Sequence, residues 1–391
     1  MESGSSTAKK KLTYAMIGGG PGAFIGDVHR TAVRIDNQAV LVSGIFSRDY
    51  PKSLAFGKSL GLSEDRLYSS YEEMADMEAS REDGIDYVVV VTSNTSHYPI
   101  CRVFLEHGIN VMCDKPLTVT SAEAEHLQNL AEQRHLLFGV TYTYTGYPAV
   151  KQIAHLVRSG EIGDIRFVHA EYLQEWMVAR VRNAQQLKDR WRTDPAHSGM
   201  SNCIGDIGTH IEHMVASMTG MHIVRLSARL DTFIDGHTLD DNASVMVEYD
   251  SGAKGLYWAS QISVGSSNGL RIRLIGSKGT IEWFQEDPDH FKLVRIAEPV
   301  QIYSRGRNQF APTAQSFSRI PGGHVEGVYE AFANLYKAFN NALLRRKSGE
   351  SLSESDMLFP TVQDGVSGVR FIEACVESSK KDSAWVPLRQ S

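Results

Sequence analysis

Tyr14-Ala-Met-Ile-Gly-Gly-Gly-Pro-Gly-Ala23 is the stretch of this 391-residue chain that decides its fold. Its first four residues predict a buried strand, and the residues after them form a glycine-rich turn. Their spacing fits Gly-x-Gly-x-x-Gly/Ala, in which small residues let the backbone approach a dinucleotide diphosphate. A helix from about Phe24 to Ile35 would point its free N–H groups at the same anion. The stretch predicts cofactor contacts from Gly18, Gly20, Pro21, Gly22, Ala23, Phe24 and Ile25.

Two points about this turn stay open. Gly26 fits the third glycine position as well as Ala23 does, with Pro21 to Phe24 as a small insertion. Glycine-rich turns also occur without a ligand, so the motif depends on its context. A strand before it and a helix after it favour cofactor binding.

The composition indicates an ordinary soluble globular protein of about two domains. Hydrophobic residues make up 42% of the chain, charged residues 22%, and the formal net charge is −6. That charge argues against nucleic acid or an anionic membrane as a partner, and no apolar run is long enough to span a bilayer. Four widely spaced cysteines indicate free thiols rather than disulfides or a zinc site, so no metal is expected. The N-terminus lacks a secretory signal core, and we expect a cytoplasmic protein.

Strand and helix signals alternate between residues 12 and 146, which predicts a doubly wound Rossmann domain after a flexible tail at 1–11. Five consecutive apolar residues within Asp86–Thr92 mark its clearest central strand. Ser121 is the predicted N-cap of a later helix.

The pattern changes after Pro148, where long alternating segments are joined by tight turns. Residues 147–391 are therefore predicted to form an α+β domain on a large, open, mainly antiparallel sheet. One of its strands is expected from Ile165 to Trp176. One face of the sheet should pack on helices, and the other should face solvent or a partner subunit.

Residues beyond the carboxyl ends of the first-domain strands are candidates for ligand contacts. Ser47 and Arg48 stand where an acidic residue would accept from the NAD ribose, and they slightly favour the phosphate of NADP. The same residues are explained nearly as well if Arg48 is a surface arginine at a strand end with no functional role. Lys115 emerges where Pro116 ends another strand, and in a partly dry cleft it could stabilise a developing alkoxide. Isolated lysines, however, are usually solvated.

Gly205-Asp206-Ile-Gly-Thr-His210 opens a predicted helix that ends at Gly220. Asp206 and His210 are four residues apart and should share a helix face, which His213 and Ser217 continue toward a cleft or water. Alcohol oxidation requires a base, and histidine suits that role near neutral pH. An exposed pair without function fits the spacing equally well, and His213 is a rival base.

A third group combines aromatic rings with hydrogen-bonding side chains, which suits a sugar. Such residues also gather at subunit interfaces, and the two interpretations are equally supported. The group consists of Tyr142, Tyr144, Tyr172, Gln174, Trp176, Trp191, Arg192 and Asp194. His324, just before a long C-terminal helix, is a further substrate candidate, with helix capping as its alternative.

With these motifs in order, the chain resembles the Gfo/Idh/MocA oxidoreductase family, named for glucose–fructose oxidoreductase, inositol dehydrogenase and a rhizopine-catabolism protein. The resemblance covers about residues 12 to 375. It rests on the glycine turn and three further motifs, namely Thr92-Ser-Asn94 with His97, Asp114-Lys115-Pro116, and Gly205-Asp206-Ile-Gly-Thr-His210. It implies an NAD- or NADP-binding Rossmann domain and assembly into dimers or tetramers through the second sheet. It also implies that Thr92, Ser93, Asn94, His97 and Asp114 contact the cofactor.

By the same resemblance, Lys115 matches the catalytic lysine, Asp206 the substrate-binding aspartate and His210 the catalytic histidine. The chain departs from the family pattern at four motifs, the first of which is the glycine turn with its extra residues. Asp114 replaces the glutamate of Glu-Lys-Pro, Ser93 replaces the proline of Thr-Pro-Asn, and Thr143-Tyr144-Thr145 replaces Asn-Tyr-Arg. The three catalytic positions are intact, so the departures bear on the identity of the substrate.

The sequence thus predicts an NAD(P)-dependent dehydrogenase that oxidises a secondary hydroxyl of a cyclic polyol, sugar or glycoside, or catalyses the reverse reduction. Lys115 would hold the reacting oxygen, His210 would take its proton, and Asp206 would fix a neighbouring hydroxyl or the imidazole. Two alternatives remain: a catalytically silent dinucleotide-binding sensor, and a sugar–sugar oxidoreductase with a tightly bound cofactor.

Overall fold

The computed structural model describes residues 11–178, 194–307 and 310–388. Its first layer is a five-stranded parallel sheet in the order β2-β1-β3-β4-β5, formed by β1 Leu12–Gly18, β2 Ala39–Ile45, β3 Tyr87–Val91, β4 Asn110–Cys113 and β5 Phe138–Val140. The helices between these strands are α1 Phe24–Ile35, α2 Tyr50–Ser59, α3 Tyr71–Ser80, α4 Asn94–Glu106 and α5 Ser121–Gln133. The strand order reverses at β1, and ligands of such sheets bind beside that switch point. The predicted Rossmann domain is confirmed.

Short polar side chains set where several of these helices begin. The side chains of Asp49, Ser70 and Thr120 accept hydrogen bonds from backbone N–H groups in the first turns of α2, α3 and α5. The prediction that Ser121 caps α5 was wrong by one residue, because the extended Thr120 takes that position.

The second sheet has nine strands in the order β13-β12-β11-β10-β6-β9-β8-β7-β14. Its neighbours pair antiparallel except for β6 and β9, which are parallel. The strands are β6 Ile165–Leu173, β7 Ile223–Asp231, β8 Asn242–Tyr249, β9 Lys254–Ser260, β10 Gly269–Gly276, β11 Gly279–Phe284, β12 His290–Arg295, β13 Gln301–Ser304 and β14 Val386–Pro387. The predicted large, mainly antiparallel sheet is confirmed.

Strand β6 ends three residues before the predicted Trp176. Beyond it, the Gln174 N–H donates to the Ser260 carbonyl at the end of β9, and the Gln174 carbonyl accepts from Ser263. The chain therefore leaves the sheet at the point where its neighbour also ends.

The later helices are α6 Pro148–Arg158, α7 Pro195–Ser198, α8 Thr209–Thr219, α9 Pro312–Ser316, α10 Val328–Lys347 and α11 Val362–Lys380. Helix α10 packs on the first sheet, where Phe339 meets the ring of Tyr87 and Tyr336 bonds His29 of α1. Residues from the C-terminal half therefore complete the core of the Rossmann sheet. A domain division at residue 146 stays a prediction.

The four cysteines are buried and unpaired. Across the described ranges, no helix combines the length and apolar character needed to cross a membrane.

Candidate active site

The glycine turn brings three backbone segments into close contact. Gly18 and Gly19 have φ values of 89° and 64°, in the left-handed region that glycine tolerates. A Cβ atom on Gly20 would lie 2.0 Å from the Phe46 carbonyl oxygen, and one on Gly26 would lie 2.3 Å from the Gly19 Cα. Gly26 therefore provides the close helix packing of the third glycine, which resolves the choice that the sequence left open.

A cleft of about 630 Å³ opens beside this turn. It is lined by Gly20, Pro21, Ala23, Phe46, Ser47, Lys52, Ala55, Phe56 and Ser59. The rings of Phe46 and Phe56 meet edge to face at 5.2 Å. Bare backbone at the turn and aromatic walls beyond it fit the diphosphate and adenosine of a dinucleotide.

The predicted cofactor residues around this cleft differ in exposure. Gly22 and Phe24 are exposed and Ile25 is half-buried. Ser47 is on the cleft wall and accepts from the Asp49 N–H, whereas Arg48 is exposed and is not among the lining residues.

The loops after β3 and β4 are tied together by His97. One ring nitrogen lies 3.0 Å from the Pro116 carbonyl oxygen and the other 3.2 Å from that of Thr92. The imidazole is buried, and burial lowers its pKa. His97, predicted to contact the cofactor, is thus engaged inside the protein, where it fixes the two loops.

The other predicted residues of these loops also make internal contacts. The Asn94 amide donates to the Ser198 carbonyl at 3.1 Å, which joins α4 to α7. The Asp114 carboxylate accepts from the Thr141 hydroxyl and from the Lys115 N–H. Ser93, the N-cap of α4, is half-buried with its hydroxyl 3.2 Å from that of Ser96. These bonds hold the backbone beside the switch point.

Lys115 reaches from the first sheet to the segment that carries Asp206. Its Nζ donates to the Asp206 carbonyl oxygen at 2.6 Å and to Oδ1 of the same residue at 2.8 Å. The Lys115 side chain is 16% exposed and that of Asp206 is 26% exposed, so the pair lies in a partly dry cleft. An ammonium has three N–H donors, and two bonds leave one for a substrate oxygen.

Asp206 lies in a π-helical turn, Ile204–Gly208, and α8 begins only at Thr209. The predicted helix therefore opens with a π turn rather than an α-helical turn, and the shared face of Asp206 and His210 stays a prediction. The carboxylate of the buried Asp240 binds the N–H groups of Asn202 and Ile204, and this fixes the start of the turn. Such turns are frequent at functional sites.

Gln261 is a site residue that the sequence did not reveal. It is fully buried, and its Nε2 donates to Asp206 Oδ2 at 2.9 Å while its Oε1 accepts from Asn202 at 2.6 Å. Lys115, from the first sheet, and Gln261, from the second, thus hold the two carboxylate oxygens. Gln261 follows β9, and only its position at a strand end could have suggested a role.

His210 is 6% exposed and is surrounded by tyrosines. Its ring centroid lies 4.8 Å from that of Tyr144, 5.8 Å from Tyr142 and 6.1 Å from Tyr172. Burial lowers the pKa of His210 well below its usual value, and the nearby Lys115 ammonium lowers it further. The imidazole is therefore neutral near pH 7 and can accept a proton.

His213, the rival base, does not face the cleft. It is 3% exposed and stacks on Tyr142 with ring centroids 4.1 Å apart. Its Nε2 lies 3.6 Å from Asp364 of α11. The predicted polar stripe was wrong at this position, because α11 covers that side of α8.

Hydrogen bonds connect members of the predicted aromatic group in a chain whose donors and acceptors can be assigned from one end. The Trp176 indole N–H can only donate, and it binds Gln174 Oε1 at 2.8 Å. Gln174 therefore turns its Nε2 to Asn268 Oδ1, which also accepts from the Tyr172 hydroxyl at 2.6 Å. Tyr172 in turn can accept from Tyr144 at 2.5 Å. This chain fixes Tyr144 beside the catalytic candidate, and Asn268 is its central residue, which the sequence did not single out.

Other predicted substrate residues lie elsewhere. His324 is exposed, and its carbonyl accepts a hydrogen bond from the buried Arg305. Trp191 and Arg192 lie outside the described residues.

Together, the dinucleotide cleft and the Lys115–Asp206–His210 cluster are typical of an NAD-binding oxidoreductase that acts on hydroxyl groups. Family comparison agrees with this class. The oxidoreductase family model with an NAD-binding Rossmann fold matches residues 12–142, and the GFO/IDH/MocA C-terminal domain matches residues 150–282. The chain belongs to the GFO/IDH/MocA oxidoreductase family.

Relatives match it over its whole length. The uncharacterized oxidoreductase YfiI of Bacillus subtilis is 35% identical over 100% of both chains. An inositol dehydrogenase homolog from Azotobacter vinelandii, solved with NAD+, is 37% identical with a TM-score of 0.92, over 99% of this chain and 100% of that one. An inositol dehydrogenase homolog structure from the same organism, with NADH and myo-inositol, is 36% identical with a TM-score of 0.89, over 97% and 98%.

Proposed function

We propose that this protein is an NAD(P)-dependent dehydrogenase that oxidises a secondary hydroxyl of a cyclic polyol or sugar. The observation that carries the proposal is the convergence of Lys115 from the first domain with Asp206 and His210 from the second. Tyr144 beside His210, with the half-buried Gln174 and Trp176 further along the same hydrogen-bonded chain, would supply apolar faces and hydrogen-bonding groups suited to a sugar ring. The myo-inositol bound to the Azotobacter vinelandii homolog is a cyclic polyol of this kind.

In the proposed mechanism, the residues of this chain position the alcohol and move its proton. The third N–H of the Lys115 ammonium donates to the reacting oxygen and stabilises negative charge on it. His210 takes the hydroxyl proton as a neutral base, and the Asp206 carboxylate holds Lys115. A nicotinamide bound along the switch point would supply the hydride acceptor.

We further propose a preference for NADP. The Asp49 carboxylate, the nearest acidic group after β2, accepts from the Lys52 N–H at the start of α2, so it is engaged in capping that helix. Lys52 lies on the cleft wall and Arg48 is exposed close by, and both could bind a 2′-phosphate. The alternative is a preference for NAD+, because the Azotobacter vinelandii homolog was solved with NAD+.

The test is a spectrophotometric screen of NAD+ and NADP+ against inositols, aldoses, anhydrosugars and glycosides. On the best substrate, Lys115→Met and His210→Asn should each lower kcat by roughly a hundredfold or more, as general acid–base groups contribute. Ser367→Ala, on the nearby helix α11, serves as the control and should keep normal turnover.

Full turnover in both variants would contradict the assignment. Tight dinucleotide binding without reduction on any substrate would support the sensor alternative, and stoichiometric copurified nucleotide would support a permanently bound cofactor. Equal or better activity with NAD+ would contradict the NADP preference alone.

The outer face of the second sheet is the proposed contact between subunits of a homodimer or homotetramer. Phe167, Leu256 and Trp258 are each more than one-third exposed there and lie on the adjacent strands β6 and β9. Exposed apolar patches of this kind mark association surfaces. We expect such an assembly to work in the cytoplasm.

A further inference from the structure

Arg30 of α1 is a buried cation directly behind the glycine turn. The residue is 5% exposed, and its Nη1 donates to the Gly19 carbonyl oxygen at 2.7 Å. Gly26, one turn earlier on the same helix face, packs against Gly19 from the same side. Helix α1 therefore contacts the turn through one close glycine and one charged side chain.

The charge of Arg30 is only weakly balanced by the protein. Asp27, its ion-pair partner among the described residues, lies 3.7 Å away and its side chain is 69% exposed. Such a solvated pair contributes little. On another side, the guanidinium lies over the ring of Phe56, which lines the cofactor cleft, at 5.4 Å from its centroid. A buried cation with this little compensation favours an anion nearby.

The bond to Gly19 also sets the direction of the next N–H group. In a trans peptide unit the carbonyl and the following N–H point in opposite directions. Because Arg30 holds the Gly19 carbonyl toward the protein interior, the Gly20 N–H of the same unit points outward, and Gly20 lines the cleft. Gly20 has no side chain that could cover this N–H group, and a Cβ at this position would collide with the Phe46 carbonyl oxygen.

We propose that Arg30 is a positioning residue for the cofactor diphosphate: it fixes the Gly19–Gly20 peptide so that the Gly20 N–H donates to a phosphate oxygen. Its charge, one peptide unit behind that oxygen, adds long-range attraction. This inference rests on the dinucleotide site of the proposed function.

The experiment compares two ligands on the full-length protein by calorimetry: ADP-ribose, which has the diphosphate, and adenosine, which lacks it. Arg30→Met should weaken ADP-ribose binding at least about tenfold, as loss of a hydrogen bond to a charged group does. Adenosine affinity should stay unchanged, since the aromatic walls of the cleft remain. Arg30→Lys, which keeps a cation and a donor, should recover part of the loss.

Arg34→Met is the matched control, because Arg34 lies one turn further along α1 and is exposed. It removes the same charge from the same helix and should leave both affinities unchanged. Unchanged ADP-ribose binding in Arg30→Met would overturn the inference. So would an equal loss of adenosine binding, because that would show a general collapse of the cleft.

If Arg30→Met fails to fold, Arg30→Lys provides the test. Its affinity for ADP-ribose should be lower than that of the wild type, and its affinity for adenosine should be unchanged. A wild-type protein that binds neither ligand would overturn the dinucleotide site itself, and with it the proposed function. If the wild type binds ADP-ribose and Arg30→Met binds it equally well, only the positioning role of Arg30 is overturned.

Discussion

Single residues in this protein gain their chemistry from neighbours that are distant in sequence. His210 illustrates this, because burial among tyrosines and the Lys115 ammonium from the first sheet both lower its pKa. Asp206 likewise has one carboxylate oxygen on Lys115 and the other on Gln261. Each pairing joins residues more than 50 positions apart. The sequence can supply the residue types, whereas the folded chain supplies their protonation and orientation.

His210 leads to a prediction about pH. Its pKa in the folded protein is lowered, so the neutral base persists as pH falls past 6.5, the usual value, and is lost only below it. We expect the acidic limb of the kcat/KM profile, measured on an uncharged polyol, to lie below pH 6.5. An acidic limb at or above that pH would contradict the role of His210 as base, and His210→Asn should abolish the limb.

At the scale of elements, α11 packs against α8, the helix that carries His210. A Cβ atom on Gly368 of α11 would lie 2.1 Å from the Tyr142 hydroxyl oxygen and 2.7 Å from that of Thr209. These two hydroxyls are hydrogen-bonded at 2.8 Å, and Tyr142 stacks on His213. The glycine therefore permits a close crossing between α11 and the start of α8, where His210 lies.

Gly368→Ala should separate these elements. Overpacking of this kind destabilises by about 1–3 kcal/mol, part of which the better helix propensity of alanine offsets. We expect a lower free energy of unfolding in urea and a lower kcat, because Tyr142 and His210 must shift. Gly327→Ala is the control, since its Cβ would meet only Glu330 at 3.6 Å. Equal stability and turnover in both variants would refute the close crossing.

At the scale of the whole molecule, the two sheets meet through the Lys115–Asp206 pair and the C-terminal helices. Lys115 and Asp206 join the strand ends of the first sheet to the π turn before α8, while α10 packs on the first sheet beside Tyr87. Among the described residues, one face of the second sheet stays exposed. That face carries Trp258 and Phe167 among charged residues.

Trp258→Glu tests the proposed subunit contact. A carboxylate buried against a partner subunit would lack compensation, so we expect the variant to dissociate to monomers at micromolar concentration. Sedimentation velocity would measure the change from a wild-type oligomer. Ile296→Glu is the control, because Ile296 is 74% exposed beyond the end of β12. A monomeric wild type, or an unchanged oligomer in Trp258→Glu, would exclude this surface.

Local sequence patterns were sufficient to predict both sheets and the glycine turn, whereas the catalytic roles of Lys115, Asp206 and His210 came from the family resemblance and stay predictions. Strand and helix periodicity reflects which faces must be buried, and turn glycines reflect backbone conformations that other residues avoid. These signals act within a few residues, so they can be recognised in the chain itself.

Other features were decided only by tertiary structure. The π turn at Asp206 depends on Asp240, the burial of His213 depends on α11, and the position of Tyr144 depends on Asn268. Each requires contacts between segments far apart in the chain, and such contacts have no local periodicity. The sequence by itself therefore determined the architecture and the class of chemistry, while long-range packing determined which side chains meet in the candidate site and lowered the pKa of His210.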